Sequence, residues 1–116
     1  MKRLLLSLIV SLILTGTANA LHVSQYVLMK DSEATLKTVQ SFIYGVANGL
    51  EASNTALELG GKEKLYCLDQ NLEGPDFMNL LDTTIGLYPF GRIKDLPVES
   101  LLLQMLQQTF PCKKWG

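Results

Sequence analysis

The sequence predicts an all-α fold, a small bundle of three to four helices closed by one intramolecular disulfide. Three segments carry apolar residues at helical spacings of three and four, and no segment of any length alternates apolar and polar residues as a half-buried strand does. The two cysteines, Cys67 and Cys112, each lie beside bulky apolar residues at the edge of a predicted helix. A bond between them closes a loop of about 46 residues, which contributes roughly 4 kcal/mol in the loop-entropy model.

The first twenty residues predict an export signal. Lys2 and Arg3 form a basic start, residues 4–14 are an apolar run of eleven, and Ala18-Asn19-Ala20 matches the A-x-A pattern of signal peptidase. A membrane anchor is the weaker alternative, because a spanning helix needs about 20 apolar residues. We therefore expect cleavage between Ala20 and Leu21, a periplasmic location and one domain over residues 21–116.

The predicted mature chain is mildly acidic. Removing Lys2 and Arg3 leaves 8 basic against 11 acidic residues, a formal charge of −3. Nucleic acid is not expected as a partner because there is no basic stripe to neutralise phosphates. No second hydrophobic segment approaches membrane-spanning length, so the cleaved product is expected to be soluble. In a small exported domain an even pair of cysteines is more often a disulfide than a metal site.

The first predicted helix is short. Val23, Tyr26 and Val27 fit one or two helical turns within residues 21–30, with Ser24 as the cap. His22 is the chain's single histidine. No cluster of partner residues supports a general base or a metal ligand there, so we interpret His22 as a solvated terminal residue.

The second predicted helix is the longest. Asp31 or Ser32 caps its start, and Gly60-Gly61 ends it after Leu59. Apolar residues recur along one face at spacings of three and four; they are Leu36, Val39, Phe42, Ile43, Val46, Ala47 and Leu50.

Two glycines interrupt this helix four residues apart. Gly45 and Gly49 each cost about 1 kcal/mol relative to alanine. A close helix crossing would explain them, since a missing side chain lets another backbone approach. Simple tolerance is the alternative.

Two further helices follow. Gly74-Pro75-Asp76 begins the third, which ends at Tyr88 because the residue before Pro89 disfavours helical conformation. Residues 88–95 are an aromatic and basic connector, and Asp95 is expected to cap a last helix with Pro97 in its first turn. The apolar face of the third helix comprises Phe77, Leu80, Leu81, Thr84, Ile85 and Tyr88, and that of the last comprises Val98, Leu101, Leu102, Met105, Leu106 and Thr109.

No catalytic constellation is visible, and we predict neither an enzyme nor a cofactor. The sequence lacks a second histidine, H-E-x-x-H, C-x-x-C, G-x-S-x-G and a phosphate-binding glycine loop. Asp76 and Asp82 lie six apart on different helix faces, so a carboxylate pair for glycoside hydrolysis would have to assemble across the fold. Metal ligands are not clustered. These absences favour a domain that acts by presenting a surface.

Several motifs resemble the small periplasmic immunity proteins of type VI secretion, which neutralise peptidoglycan-cleaving amidase effectors. The motifs cover most of the predicted domain, from about residue 40 to Cys112; they are Phe42-Ile43-Tyr44-Gly45-Val46-Ala47-Asn48-Gly49, Cys67, Leu87-Tyr88-Pro89 and Thr109-Phe110-Pro111-Cys112. The resemblance implies an all-helical, often dimeric protein that binds its effector so as to obstruct the active-site cleft. Members often carry further cysteines in the first half of the domain, which this chain lacks.

The resemblance implies inhibition by a protruding loop, for which the chain has two candidates. Phe90, Arg92 and Ile93 offer apolar anchors and a guanidinium group, whereas Asp69 and Glu73 flank an acidic loop that suits a basic cleft. The alternative for the first set is that Phe90 and Ile93 join the core and Arg92 is merely solvated.

A second hypothesis comes from a different class. The size and single bridge are also similar to those of small periplasmic acid-stress chaperones, which would expose apolar surface when their carboxylates are protonated. The helix faces, however, look matched to a permanent core.

Overall fold

The computed structural model describes residues 21–112, and within them the chain folds into five helices joined by short connections. The helices are α1 (Val23–Lys30), α2 (Glu33–Leu59), α3 (Gly74–Leu87), α4 (Phe90–Ile93) and α5 (Val98–Thr109). The predicted signal peptide with Ala20, and the tail after Cys112, lie outside the described residues. No helix within residues 21–112 is long and apolar enough to cross a membrane.

The all-α prediction is confirmed, and four of the five helices are those that the sequence predicts. The fifth, α4, is a single turn in the segment that the sequence analysis treats as a connector. Helix α3 packs against both α2 and α5, and α1 packs against α2. No described segment forms a strand, apart from an isolated bridge between His22 and Pro97.

The core is built from the predicted apolar faces. All five helices and the α2–α3 linker contribute to one buried cluster of Val23, Tyr26, Val39, Ile43, Ala47, Tyr66, Phe77, Met78, Leu81, Ile93, Val98, Leu101, Leu102 and Leu106. Burying an aliphatic or aromatic side chain of this kind contributes about 1.5–3 kcal/mol. The core therefore holds α3 in place between α2 and α5.

The residues predicted to cap the starts of α1 and α5 are not the ones that occupy those positions. Helix α1 begins after His22, whose backbone N–H donates to Gln25 Oε1 at 2.9 Å, so His22 rather than Ser24 occupies the cap. The start of α5 is preceded by Pro97, and Asp95 is exposed and does not cap it. The reason is that the chain turns at residues 94–95 and Pro97 then pairs with His22, so Pro97 takes the position before the helix and α5 begins past Asp95.

The two glycines inside α2 do not mark a close helix crossing. Gly45 and Gly49 are exposed, and a Cβ atom added at either would meet nothing within 4 Å. The crossing predicted there is wrong, since no backbone approaches. The predicted end of α2 is confirmed, because Gly61 has a φ of 72°, a left-handed conformation that glycine adopts without strain.

Candidate functional site

The disulfide fastens the linker between α2 and α3 to the end of α5. Cys67 and Cys112 are bonded; their Cα atoms lie 4.9 Å apart, and the residues are 45 positions apart in sequence. The backbone N–H of Cys67 also donates to the Phe110 carbonyl at 2.8 Å. The predicted bridge is confirmed, and a backbone hydrogen bond reinforces it.

A buried asparagine holds the same linker to α2. Asn54 donates from Nδ2 to the Tyr66 carbonyl at 2.9 Å, and its Oδ1 accepts from the Leu65 N–H at 2.7 Å. Asn54 is only 4% exposed, and the Tyr66 side chain is fully buried. The linker, although irregular, is thus fixed on both sides, which in turn positions the start of α3.

The main candidate surface lies at the C-terminal end of α3. We call it the α4 surface and define it by Leu87, Phe90, Arg92 and Leu96. Its three apolar side chains are 67%, 46% and 40% exposed in that order, and Arg92 is exposed as well. Large apolar side chains next to a guanidinium group are characteristic of protein contact sites.

Ile93 does not belong to this surface. Its side chain is only 3% exposed and lies in the core, because the single turn of α4 directs it inward. The prediction that Ile93 is available to a partner is therefore wrong, whereas Phe90 and Arg92 do reach the surface. The alternative drawn from the sequence placed both Phe90 and Ile93 in the core, and of these two only Ile93 lies there.

Backbone hydrogen bonds fasten the α4 surface to the start of the described chain. The N–H of Val23 donates to the Leu96 carbonyl at 2.9 Å, and the N–H of Ser24 donates to the Lys94 carbonyl at 3.0 Å. In the opposite direction the N–H of Val98 donates to the Leu21 carbonyl at 2.9 Å. Residues 94–98 are consequently held against residues 21–24, and this fixes the position of α4.

Helix α1, which binds residues 94–98 in this way, also makes a polar contact with α3. The Tyr26 hydroxyl donates to Asp82 Oδ1 at 2.6 Å, and Lys30 Nζ lies 3.3 Å from the same oxygen. Burial raises the pKa of Tyr26, and the nearby Asp82 carboxylate raises it further. The phenol therefore stays protonated and keeps donating to Asp82.

The acidic candidates lie at the other end of α3. Asp69 and Glu73 are both exposed and precede Gly74, the first residue of α3. At 1.5 Å per residue, the 14 residues of α3 span about 20 Å between Glu73, which precedes the helix, and the end that leads to Phe90. The structure therefore separates the two predicted sets into two surfaces. Asp69 borders a hollow beside the disulfide, whereas Glu73 borders a different cleft.

That second cleft lies between α2 and the start of α3. It has a volume of about 310 Å³, and its polar lining includes Tyr44, Asn48, Glu51 and Glu73. This cleft is not predictable from the sequence, because Tyr44 and Glu51 look like ordinary positions along a long helix. The structure shows that Gly74 is required beside this cleft, since a Cβ atom there would lie 2.7 Å from the Tyr44 ring.

Among residues 21–112, no group of three or more histidine, cysteine or acidic side chains lies close enough to hold a metal ion. The chemistry that the two surfaces offer is that of recognition, through apolar anchors, charged groups and fixed backbone. Comparison of the chain with protein-family models, with curated proteins and with solved structures found no match.

Proposed function

We propose that this chain is an exported immunity protein that binds and blocks a peptidoglycan amidase effector of type VI secretion. The observation that carries the proposal is the α4 surface, where Phe90 and Leu87 stand exposed beside Arg92 on a fastened helical turn. The motif resemblance described above supplies the class of partner.

The α4 surface has the physical properties that a protein inhibitor needs. Phe90 can fill an apolar pocket of the partner, and the Arg92 guanidinium can fix orientation through directed hydrogen bonds. The hydrogen bonds to residues 21–24 order this segment before binding, so less conformational entropy is lost on association.

The disulfide is consistent with the location that this function requires. Bonded cysteine pairs persist in oxidising compartments such as the bacterial periplasm and are rare in the cytosol. An inhibitor of a cell-wall amidase would have to act in the periplasm, where the substrate is.

Co-expression tests the proposal directly. An amidase encoded by a neighbouring reading frame is sent to the periplasm, where it is expected to lyse cells unless this chain is co-exported. Survival with this chain supports the proposal, and continued lysis despite a folded, exported chain overturns it.

Surface variants test whether the α4 surface forms the contact with the amidase. Phe90→Ala and Arg92→Ala are each expected to weaken amidase binding by about 2 kcal/mol, or roughly 30-fold in Kd, as central interface residues do. Leu59→Ala is the matched control for the loss of an exposed apolar side chain, since Leu59 is 84% exposed at the far end of α2. Equal losses for Leu59→Ala and Phe90→Ala would exclude the α4 surface as the contact.

A periplasmic acid-stress chaperone is the second candidate, and one contact favours it. Helix α1 is tied to α3 through the Asp82 carboxylate, so protonating that group removes the ion pair with Lys30. Release of α1 would uncover core residues Val23 and Tyr26, the kind of apolar surface that a holdase uses. Binding of a hydrophobic dye below about pH 3 would favour this candidate, and its absence would exclude it.

A further inference from the structure

Glu99, in the first turn of α5, carries a buried carboxylate oxygen without a partner. Its Oε1 atom is buried and accepts no hydrogen bond from the described residues. The ion pairs within residues 21–112 join Lys30 to Asp82 and Lys64 to Glu58, and none includes Glu99. A carboxylate oxygen shielded from water costs free energy unless a donor or a cation meets it. A positively charged donor beside the first turn of α5 would remove this cost.

The start of the described chain lies antiparallel to the residues that lead into α5. His22 pairs with Pro97 in an isolated antiparallel bridge, and the Val98 N–H donates to the Leu21 carbonyl at 2.9 Å. In this register Leu21 lies opposite Val98, which is the residue directly before Glu99.

The backbone nitrogen of Leu21 faces the same part of α5. In a hydrogen-bonded antiparallel pair, the N–H and C=O groups of one residue both point to the opposite strand. Because the Leu21 carbonyl accepts from Val98, the Leu21 nitrogen points to that side as well, and it donates to none of the described residues. The long side chain of Glu99 starts one residue further on. The register thus places a free nitrogen and an unpartnered carboxylate at the same end of α5.

Cleavage at the predicted signal site would turn this nitrogen into a cation. Before cleavage the Leu21 nitrogen belongs to a neutral peptide bond. Hydrolysis adds water across the bond between Ala20 and Leu21, which leaves a carboxylate on Ala20 and an α-amino group on Leu21. With an ordinary pKa of about 7.7–8.0, an α-amino group is mostly protonated at neutral pH. The product is an ammonium group with three donors.

We propose that the α-ammonium group of Leu21, created by cleavage after Ala20, pairs with the Glu99 carboxylate. We call this contact the terminal pair. It rests on the proposed function for the export and cleavage of the chain. The terminal pair adds a charged contact to the hydrogen bonds that hold residues 94–98 against residues 21–24, so the α4 surface is fully fastened only in the processed chain.

Four chains that begin at Leu21 form a double-mutant cycle for this contact. The α-amino group is either free or acetylated, and position 99 carries either the native residue or Glu99→Gln. Acetylating the unfolded chain at about pH 6.5 favours the α-amino group, because lysine side chains have a pKa of about 10.4. Urea unfolding of the oxidised proteins then gives the folding equilibrium constant of each chain.

Acetylation is expected to lower the folding constant about tenfold in the parent chain and less than twofold in Glu99→Gln. The dipole of α5 attracts the Glu99 carboxylate whether or not the amine is acetylated, so its contribution cancels in the coupling. An equal effect of acetylation in the two backgrounds would overturn the terminal pair.

Glu33→Gln is the matched control for Glu99→Gln. Glu33 is an exposed carboxylate in the first turn of α2, so this variant removes the same charge from another helix start. Acetylation should lower the folding constant as much in Glu33→Gln as in the parent chain. Loss of the acetylation effect in both variants would show long-range attraction alone and would overturn the pairing with Glu99.

Amide hydrogen exchange locates the contact. The Val98 N–H donates to the Leu21 carbonyl and the Val23 N–H donates to the Leu96 carbonyl, so both report on the pairing of the chain start. Both amides are expected to exchange about tenfold faster in the acetylated parent chain. Unchanged exchange at both amides would overturn the role of the terminal pair in fastening residues 94–98.

The N-terminus of periplasmic material separates this inference from the proposed function. Intact-mass analysis of the exported chain is expected to show a start at Leu21. A cut at another bond would overturn the terminal pair alone, whereas retention of residues 1–20 would overturn both proposals. With a start at Leu21, rescue from the amidase without coupling to Glu99 would overturn this inference only. Coupling without rescue would support the terminal pair and overturn the proposed inhibition.

Discussion

Replacing Asn54 by alanine is expected to destabilise the whole domain, although Asn54 is a polar residue on a long surface helix. The substitution removes an acceptor from the Leu65 N–H and a donor from the Tyr66 carbonyl, the latter in a buried contact. Leaving a buried polar group unsatisfied costs about 1–3 kcal/mol, so the two losses together come to about 3 kcal/mol. Alanine regains about 0.5 kcal/mol through its higher helix propensity. The expected net loss is about 2–3 kcal/mol.

This loss is large compared with the total stability of about 5–15 kcal/mol expected for a domain of this kind. Urea unfolding of the oxidised protein, followed by far-ultraviolet circular dichroism, would measure it. The midpoint of thermal unfolding should fall by about 8–24 °C, since 1 kcal/mol corresponds to about 4–8 °C in a domain of this size.

Asn48→Ala is the matched control for Asn54→Ala. Asn48 lies on the same helix and is exposed, so its replacement should change stability by no more than about 0.5 kcal/mol. Asn54→Asp is a sharper probe, because it keeps the acceptor for Leu65 but places an anionic oxygen against the Tyr66 carbonyl. A loss in Asn54→Ala no larger than in Asn48→Ala would show that the linker is not held through this side chain.

Three other perturbations have expected outcomes that equilibrium unfolding measures. Replacing both bridge cysteines by serine should lower the free energy of unfolding by about 4 kcal/mol; a loss below about 1 kcal/mol would contradict the loop-entropy argument. Gly74→Ala should cost about 1–3 kcal/mol because the Tyr44 ring has to move, whereas Gly86→Ala on the same helix meets nothing within 4 Å and should stabilise by up to about 1 kcal/mol. The raised pKa of Tyr26 means that its contribution is complete below the unfolded value of about 10 and declines as pH rises further. Tyr26→Phe should therefore be less stable at neutral pH but show a shallower loss above pH about 10; parallel alkaline profiles would contradict this.

The parts of the fold that the sequence predicts are those in which burial repeats with the period of a helix. Val39, Ile43 and Ala47 in α2 are buried as their spacing indicates, and so are Leu102 and Leu106 in α5. A long amphipathic segment repeats its apolar spacing over several turns, so its buried face is recognisable without tertiary information.

Features that depend on a single tertiary contact were not predictable in this way. Helix α4 has four residues, too few to show a period, so its inward Ile93 was indistinguishable from its outward Phe90. Asn54 gives no sign in sequence that it is buried, because polar residues are common on long helices. The cap of α5 is displaced by pairing with residues 21–24, which lie more than 70 positions earlier in the chain.

The two candidate surfaces differ in what each implies about the shape of a partner. Helix α4 is a single turn, so alone it cannot supply the roughly 800 Å² per partner of a typical stable interface unless a concave cleft encloses it. A flat partner would have to extend along the length of α3, about 20 Å, to reach Glu73. A partner that encloses α4 should respond to Phe90→Ala and not to Glu73→Gln, whereas a partner that extends along α3 should respond to both. For the proposed amidase partner, sensitivity confined to Phe90 and Arg92 would favour obstruction of a concave active site over attachment elsewhere on the enzyme.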